Sequence, residues 1–492
     1  MAKRLFICLL LSLLPLLRLA AQTDAPLRLE LETAQDADDY HMTLMGKEGL
    51  AVFYEGEKMN ADSVEWIILC YDTNLVRKTN FSVILPHPAT FKSSFYNDTI
   101  LYMIFQESVG KKENPRTFIT RTDMVTHRSD CATIRDLPRF DVSSFKGVDD
   151  HVVFSILSGS NYYFYFFNFK KDKNEEFRIE NADIISDQFV EIDSLRQRII
   201  LGLGMRFTNQ IVVVAVFETD YDGNLITEAA LPTQSDYYYN SLRYKQIDTS
   251  TAIIIGTYNL TSRSRSSGLY HSGVYTLLYN DSKMGEPSFY NYSQLGQKNG
   301  GGNEKEVKLD LQLLVGNIIA NDSCFALITE VYYPEYSYAN DYYSNSYYYN
   351  SGYNPAATAF QGYRYVNAYI TCFDRKGKLL WDNYFPFNSI LTRRLAKRVS
   401  LFFTPFGTAI FYPYNNYLTH TLVDGYEVIE KTSTVPVESR YKKDIIDYSR
   451  DLMMRHWYGN CFVISGYQNI RNNSKTAKGH RYVFFINKLI YE

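Results

Sequence analysis

Short apolar runs recur along the chain, and each follows a turn. Four of them read GLAVFYE from Gly49, DTILYMIF from Asp98, STAIIIGT from Ser250 and GNCFVISG from Gly459. There are eight such runs, and most begin about 50 residues after the previous one. Their β-branched and aromatic residues predict strands buried on both faces. The regular spacing predicts a repeated structural unit.

Each apolar run is followed by a second pattern: a strand, a tight turn and another strand. AYITCFDRKGKLLWD from Ala368 is one example. Asp, Asn and Gly at these turns provide side-chain hydrogen bonds and tolerate the positive φ that a hairpin needs. A weaker strand precedes each run, as in HMTLM at His41. Together these patterns predict four antiparallel strands per unit.

Eight four-stranded units with almost no helical periodicity predict an all-β chain folded as a single β-propeller. Seven blades are the alternative, because the third unit is the least regular. The last unit lacks an outermost strand, and LRLELE from Leu27 could supply it and close the ring. Helix-like spacing occurs from Lys442 to Met454, where one or two helical turns are expected.

One unit resembles a known repeat. ITCFDRKGKLLWDNYF from Ile370 is similar to the repeat of quinoprotein-type (PQQ-like) propellers, and the segments from Asp220 and Tyr71 are weaker echoes. The likeness covers about three units, and the Trp expected in each blade is present only as Trp381. The resemblance implies the propeller fold but not the quinone, so no cofactor is expected.

The first residues have the features of a targeting signal. A basic start at Met1 to Arg4 precedes an apolar run from Leu5 to Leu17 and the small pair Ala20-Ala21. This pattern predicts a secretory signal peptide at residues 1–21, with the propeller over 22–492. We therefore expect an exported bacterial protein in the periplasm, on the outer-membrane surface or outside the cell. No transmembrane segment is expected, although peripheral association with an outer membrane stays open.

Charge and composition exclude some classes of protein. The chain has 51 Lys+Arg against 54 Asp+Glu, a balance that argues against a nucleic-acid partner. A hydrophobic fraction of 46% excludes a disordered chain. One basic run could contact an anionic lipid or glycan, or form a solvated edge; it contains Arg393, Arg394, Lys397 and Arg398.

The cysteines do not form a disulfide framework. Five remain after the signal peptide, they are widely scattered, and no CxxC is present, so most are expected to be buried apolar side chains. Cys324 and Cys372 are predicted at the ends of neighbouring strands, where a cross-strand bond is geometrically possible.

Motifs for metal binding or catalysis are weak. Asp220, Asp222 and Asn224 resemble the start of a calcium loop, but the flanking strands favour a hairpin turn. The chain has no HExxH and no GxSxG, so neither a metal site nor catalytic residues are assigned. Carboxylate pairs lining the channel of a propeller could still act on a polysaccharide, as a hydrolase or a lyase.

The most informative feature is a tyrosine-rich loop insertion predicted at residues 332–365. Of the 22 residues from Tyr332 to Tyr353, ten are Tyr, interleaved with Asn, Ser, Gly and Asp. In a propeller this loop shares a rim with the link before the fifth unit, where three more tyrosines lie. The composition is typical of binding loops for a protein partner or glycan, although an insertion without a partner is the alternative. The predicted binding residues are Tyr237, Tyr238, Tyr239, Tyr336, Tyr338, Tyr342, Tyr343, Tyr347, Tyr348 and Tyr349.

Overall fold

The computed structural model describes residues 27–35, 37, 39–60, 62–110, 115–209, 211–231, 236–260, 272–292, 312–338, 358–473 and 479–491. These residues form an eight-bladed β-propeller with four-stranded blades, which confirms the predicted fold and makes the alternative of seven blades wrong. The predicted signal peptide at 1–21 lies outside the described residues and stays a prediction.

The first four blades are antiparallel sheets of four strands in chain order from the channel outwards. The strand β1 (Arg28–Glu32) belongs to the last blade. Blade one contains β2 (His41–Leu44), β3 (Leu50–Asn60), β4 (Ser63–Tyr71) and β5 (Arg77–Pro86), with a 3₁₀ turn at Gly46–Glu48. Blade two contains β6 (Ala89–Asn97), β7 (Ile100–Glu107), β8 (Thr117–Asp123) and β9 (Ser129–Ile134). Blade three contains β10 (Asp141–Val148), β11 (His151–Ser158), β12 (Asn161–Asn168) and β13 (Lys173–Phe177). Blade four contains β14 (Ala182–Asp193), β15 (Arg198–Phe207), β16 (Val212–Thr219) and β17 (Leu225–Ala230).

Blades five and six follow the same plan, but some of their edge strands are divided into two pieces that pair with one neighbour. Blade five contains β18 (Tyr237–Tyr239) and β19 (Arg243–Gln246), then β20 (Thr251–Leu260), β21 (Gly273–Asn280), and the outer pieces β22 (Lys283–Met284) and β23 (Ser288–Asn291). Blade six contains β24 (Gln312–Val315) and β25 (Ile319–Ala320), then β26 (Cys324–Tyr338), β27 (Thr358–Asp374) and β28 (Leu379–Thr392).

The last two blades complete the ring. Blade seven contains β29 (Ser400–Thr404), β30 (Gly407–Tyr414), β31 (Tyr417–Asp424) and β32 (Glu427–Pro436). Blade eight contains β33 (Ile445–Tyr458), β34 (Cys461–Arg471) and β35 (His480–Ile490). Its outermost strand is β1, whose residues 28–32 pair antiparallel with β35. The predicted closure of the ring by the segment from Leu27 is therefore confirmed.

A buried ionic network holds the closing strand in place. The side chain of Arg28 is only 1% exposed, and its guanidinium pairs with Glu30 at 2.7 Å and donates to Gln468 at 2.6 Å. Arg481 pairs with the carboxylates of Glu30 at 3.1 Å and Asp444 at 2.6 Å. Each buried charge thus has an opposite charge beside it, as burial requires.

Apolar side chains pack between the faces of adjacent blades. Between blades one and two, the ring of Trp66 lies 4.8 Å from that of Phe105 in an edge contact, and Phe53 is fully buried beside them. Between blades eight and one, the indole N–H of Trp457 donates to the carbonyl of Gly49 at 2.9 Å. Because both faces of the central strands of each blade are covered, these strands appear in the sequence as continuous apolar runs.

The up-and-down strand order gives the molecule two distinct rims. Links between blades lie at the same end as the connections from second to third strand, and we call this end the upper rim. The turns that join first to second and third to fourth strands form the lower rim. The order of strands in every blade fixes this assignment.

The helical turns expected between Lys442 and Met454 are wrong, because this segment belongs to the strand β33. Its pairing with β34 shifts register near Ile446 and again between Arg450 and Met453, and Asp451 has a φ of 53°. Each bulge inserts one extra residue. The alternation of apolar and polar positions is therefore interrupted, which produced spacing resembling that of a helix.

Candidate functional site

The hairpin of β26 and β27 extends well beyond the other strands of blade six at the upper rim. These strands have 15 and 17 residues, and their pairing continues through Tyr332 opposite Tyr365 to Tyr338 opposite Thr358. The sequence predicted a loop over the whole of 332–365, and this is wrong for both ends of that range. Residues 339–357 lie outside the described residues.

One side of this hairpin carries a continuous series of aromatic rings. The ring centroids of Tyr332 and Tyr363 are 5.8 Å apart, those of Tyr363 and Phe360 are 5.1 Å apart, and those of Phe360 and Tyr336 are 5.6 Å apart. Tyr365 is fully buried at the base, whereas Tyr336 is 52% exposed and Phe360 46% exposed. We call this set the aromatic stripe; its members are Tyr332, Tyr336, Phe360, Tyr363 and Tyr365.

The neighbouring positions of the same hairpin are polar. Arg364 donates to both carboxylate oxygens of Glu335, one of them at 2.7 Å. The hydrogen bonds from this guanidinium hold the pKa of Glu335 below its usual value. Successive residues of a strand point to opposite faces, so the hairpin has an aromatic face and an ionic face.

The other predicted binding tyrosines are placed differently. Tyr237, Tyr238 and Tyr239 were predicted in a link, but they form β18, which pairs with the upper end of β20. The ring of Tyr237 stacks on Phe289 at 3.8 Å, and that of Tyr239 meets Tyr275 at 4.9 Å. These two rings therefore contribute to the packing of blade five. The remaining predictions fall on the side chain of Tyr338 and on Tyr342, Tyr343, Tyr347, Tyr348 and Tyr349, all outside the described part of the chain.

The basic run predicted as a solvated edge is divided by the fold. Arg393, Arg394 and Lys397 are exposed, but Arg398 is only 4% exposed. The guanidinium of Arg398 donates to the carbonyl of Leu452 in blade eight at 2.5 Å. The prediction is wrong for Arg398 because its side chain is buried against blade eight.

A buried carboxylate anchors this link. Glu330, only 2% exposed, accepts hydrogen bonds from the backbone N–H of Arg398 at 2.8 Å and of Val399 at 2.9 Å. Burial nevertheless raises the pKa of Glu330 to about 7. Sequence reasoning missed this residue. Its signal was a single acidic residue inside the apolar run CFALITEVYY.

The channel contains a cavity of about 490 Å³ beside blades one, two and eight. Among its lining residues in the described ranges, the charged ones are Lys92, Arg394, Asp451 and Arg455. Asp451 is the sole carboxylate of this lining, and it lies 3.3 Å from the guanidinium of Arg450. The cavity, which we call the channel cavity, is therefore predominantly cationic.

Two further sequence predictions concern turns and thiols. The side chain of Asp220 accepts the backbone N–H of Asn224 at 2.8 Å between paired strands, which confirms the hairpin turn. Cys324 and Cys372 are both buried free thiols in contact with each other, on the same face of β26 and β27. The hydrogen bond from Cys372 lowers the pKa of the Cys324 thiol. Within the described residues, no cluster of three or more His, Cys, Asp or Glu could hold a metal ion.

Comparison with known proteins gives structural likeness only. No protein-family model matches the sequence, and no curated protein sequence matches it. The solved structures that it resembles include the polysaccharide lyase Uly1, with 9% identity, coverage of 93% of this chain and 100% of that one, and a TM-score of 0.41. Another is the β-propeller domain of the Trilobed protease from Pyrococcus furiosus, with 8% identity, coverage of 82% and 95%, and a TM-score of 0.35. A third is a nidogen/laminin complex, with 9% identity, coverage of 59% and 88%, and a TM-score of 0.28.

These likenesses are too distant to transfer an activity or a ligand to this chain. The propeller fold that the quinoprotein resemblance implied is present, while the resemblance itself remains limited to about three units. The described part of the chain has no helix long and apolar enough to span a bilayer.

Proposed function

We propose that this protein is an exported, non-enzymatic β-propeller that binds a protein partner or a glycan through the upper rim of blade six. The observation that carries the proposal is the aromatic stripe, which rises from the buried Tyr365 to the exposed Tyr336 and Phe360. Large exposed rings on a paired hairpin are costly to leave in water and are typical of contact surfaces.

The geometry of the hairpin suits recognition. Its two strands continue the sheet of blade six, and β28 pairs with β27 as far as Tyr363. Backbone pairing therefore holds the rings in place, and binding needs to order few additional side-chain torsions. Tyrosine combines a large apolar ring with a hydroxyl at low conformational cost. The ion pair of Glu335 and Arg364 lies on the opposite face and links the two strands of the hairpin.

The test replaces the two exposed rings together, as Tyr336→Ser with Phe360→Ser. Binding is measured to purified polysaccharides and to the cell-envelope fraction of the native source. We expect binding to weaken by at least about tenfold, as for central aromatic contacts in interfaces. Deleting 341–354 should also abolish binding while leaving thermal stability nearly unchanged.

The matched control is Phe406→Ser. Phe406 is 77% exposed but lies in a turn between first and second strands, on the lower rim. This variant should bind like the wild type. Equal binding by the wild type and the double variant, with both folded, would show that the aromatic stripe is not the binding surface.

A polysaccharide-active enzyme with channel-lining carboxylates is the second notable candidate, and it has weaker support. Glycoside hydrolysis ordinarily needs two carboxyl groups, and the described lining of the channel cavity offers only Asp451. Release of new reducing ends from the same polysaccharides would favour the enzyme over the binding protein.

Export is part of the proposal and rests on residues 1–21. Cell fractionation and N-terminal sequencing of the mature protein test it directly. A chain that retains Met1 in the cytoplasm would contradict export without affecting the argument from the aromatic stripe.

A further inference from the structure

The channel cavity contains a cation whose hydrogen-bonding capacity is poorly met. Arg455 of β33 is partly buried, and its guanidinium donates to the carbonyl of Met42 at 3.4 Å and to the thioether sulfur of Met453 at 3.6 Å. Both contacts are long, and sulfur is a weak acceptor. No carboxylate in the described residues lies within ion-pairing distance of Arg455. Burial alone lowers the pKa of this guanidinium, which still remains charged.

The other charged groups of the lining do not neutralise Arg455. Lys92 and Arg394 also line the cavity; the ammonium of Lys92 donates to the carbonyl of Phe140 at 2.9 Å and lies 4.0 Å from the exposed carboxylate of Asp141. The carboxylate of Asp451 faces Arg450 rather than Arg455. A partly buried guanidinium that has no carboxylate partner is stabilised by an anion that enters beside it.

Two further titratable groups lie near this wall of the channel. Burial lowers the pKa of His41 to about 4, so its imidazole is neutral at pH 7. The carboxylate of Asp39 accepts the hydroxyl of Thr33 at 2.8 Å. Neither group supplies a direct counter-charge to Arg455.

The rest of the lining provides hydroxyl groups and aromatic rings. The hydroxyls of Thr43 and Ser94 hydrogen-bond to each other at 2.5 Å across blades one and two. Rings and hydroxyls together suit the apolar faces and hydroxyls of a sugar. The remaining lining residues of these two kinds are Ser93, Ser465, Tyr40, Phe91, Tyr467 and Phe484.

We propose that the channel cavity binds a sugar that carries a carboxylate or sulfate group, with the oxyanion held by Arg455. A guanidinium matches the planar, bidentate geometry of such oxyanions. The volume of about 490 Å³ falls within the range of small-ligand sites, roughly 300–1,000 Å³. This site is separate from the aromatic stripe, so its argument does not depend on the proposed function.

Isothermal titration calorimetry on the full mature chain tests the proposal with four probes: glucuronate, glucose 6-sulfate, glucose and inorganic sulfate. At least one acidic sugar should bind, and glucose should bind at least about tenfold more weakly, because it lacks the charge-assisted hydrogen bond. Inorganic sulfate should bind more weakly than the sulfated sugar, since it makes no ring contacts. Equal binding by inorganic sulfate would overturn the assignment to a sugar.

Variants locate the site. Arg455→Met keeps an unbranched side chain without the guanidinium and should weaken binding of the acidic sugar by at least about tenfold. Arg394→Met changes an exposed residue of the same lining, and it should weaken binding even if the Arg455 variant fails to fold. The matched control is Arg178→Met, because the Arg178 side chain is 79% exposed and lies outside the channel.

Three results would each overturn the proposal. They are the absence of binding by both acidic sugars at millimolar concentration, equal binding of glucose, and wild-type affinity in a folded Arg455→Met protein. Loss of binding with Tyr336→Ser and Phe360→Ser, but not with Arg455→Met, would assign any acidic-sugar binding to the aromatic stripe instead.

Discussion

Replacing Glu330 with glutamine should make the protein more stable than the wild type at alkaline pH. Glu330 is 2% exposed and accepts the backbone N–H groups of Arg398 and Val399. Burial still outweighs these bonds and raises the pKa of Glu330 to about 7. An amide oxygen can accept the same N–H groups, but it never ionises, so the variant imitates the protonated wild type.

The magnitude follows from linkage between protonation and folding. The pKa of Glu330 is about 7 in the folded protein, against an ordinary value of 4.5. The pKa of Glu330 is higher in the folded protein than in the unfolded chain. Protonated Glu330 therefore contributes fully to stability below pH 4.5, and this contribution is lost as pH rises through 7. At about 1.4 kcal/mol per pKa unit, the whole loss is about 3 kcal/mol. Between pH 5.5 and pH 8 it amounts to about 2 kcal/mol.

The assay is urea unfolding of both proteins at pH 5.5 and pH 8. The difference in unfolding free energy between Glu330→Gln and the wild type should increase by about 2 kcal/mol in favour of the variant. Glu335→Gln is the matched control, because the pKa of Glu335 is lowered and its titration ends below this pH range. If the difference in unfolding free energy between Glu330→Gln and the wild type is the same at pH 5.5 and pH 8, the argument from burial is refuted.

Two further predictions concern ring closure and the thiol pair. Arg28→Ala should lower the free energy of unfolding, measured by urea unfolding, by about 3 kcal/mol, because it leaves the buried carboxylate of Glu30 with one cation fewer. A loss below about 1 kcal/mol would mean that the network does not hold β1. Oxidised glutathione should join Cys324 to Cys372 by thiol–disulfide exchange, with release of two reduced glutathione molecules. Mass spectrometry after alkylation should then find three of the five described thiols free, and finding five would contradict the pairing.

The sequence predicted the fold well because blade packing leaves a strong trace in it. Central strands such as β20 are buried on both faces, so their apolar runs repeat at the spacing of the blades. The pairing of strand β1 with the last blade could be predicted because the last unit of the sequence has no outermost strand of its own. The prediction of helical turns before Met454 was wrong because β-bulges depend on the neighbouring strand. The prediction of a long loop after Tyr332 was wrong because the length of a hairpin depends on pairing between its two strands. Residues such as Tyr, Ser and Asn do not distinguish a projecting hairpin from a loop.

The candidate sites were less accessible to sequence reasoning. Tyr336 was predicted because exposed tyrosines cluster visibly along the chain. Glu330 and Arg455 belong to no recognisable sequence motif, and only strand register and contacts with distant segments determine what surrounds them. Phe360 was also missed, because its contact with Tyr336 is created by pairing across a hairpin.

The two proposed sites are separate, but one hydrogen-bonded pair connects the aromatic stripe to a link that reaches the channel cavity. The hydroxyl of Tyr365, at the base of the aromatic stripe, donates to the carbonyl of Ala396 at 2.6 Å and accepts its N–H at 2.9 Å. Ala396 belongs to the link that also carries Arg394 to the channel cavity. A change at Tyr365 would therefore disturb both surfaces together. Tyr336 and Phe360 lie at the far end of the stripe, so replacing them leaves this link intact and separates rim binding from channel binding.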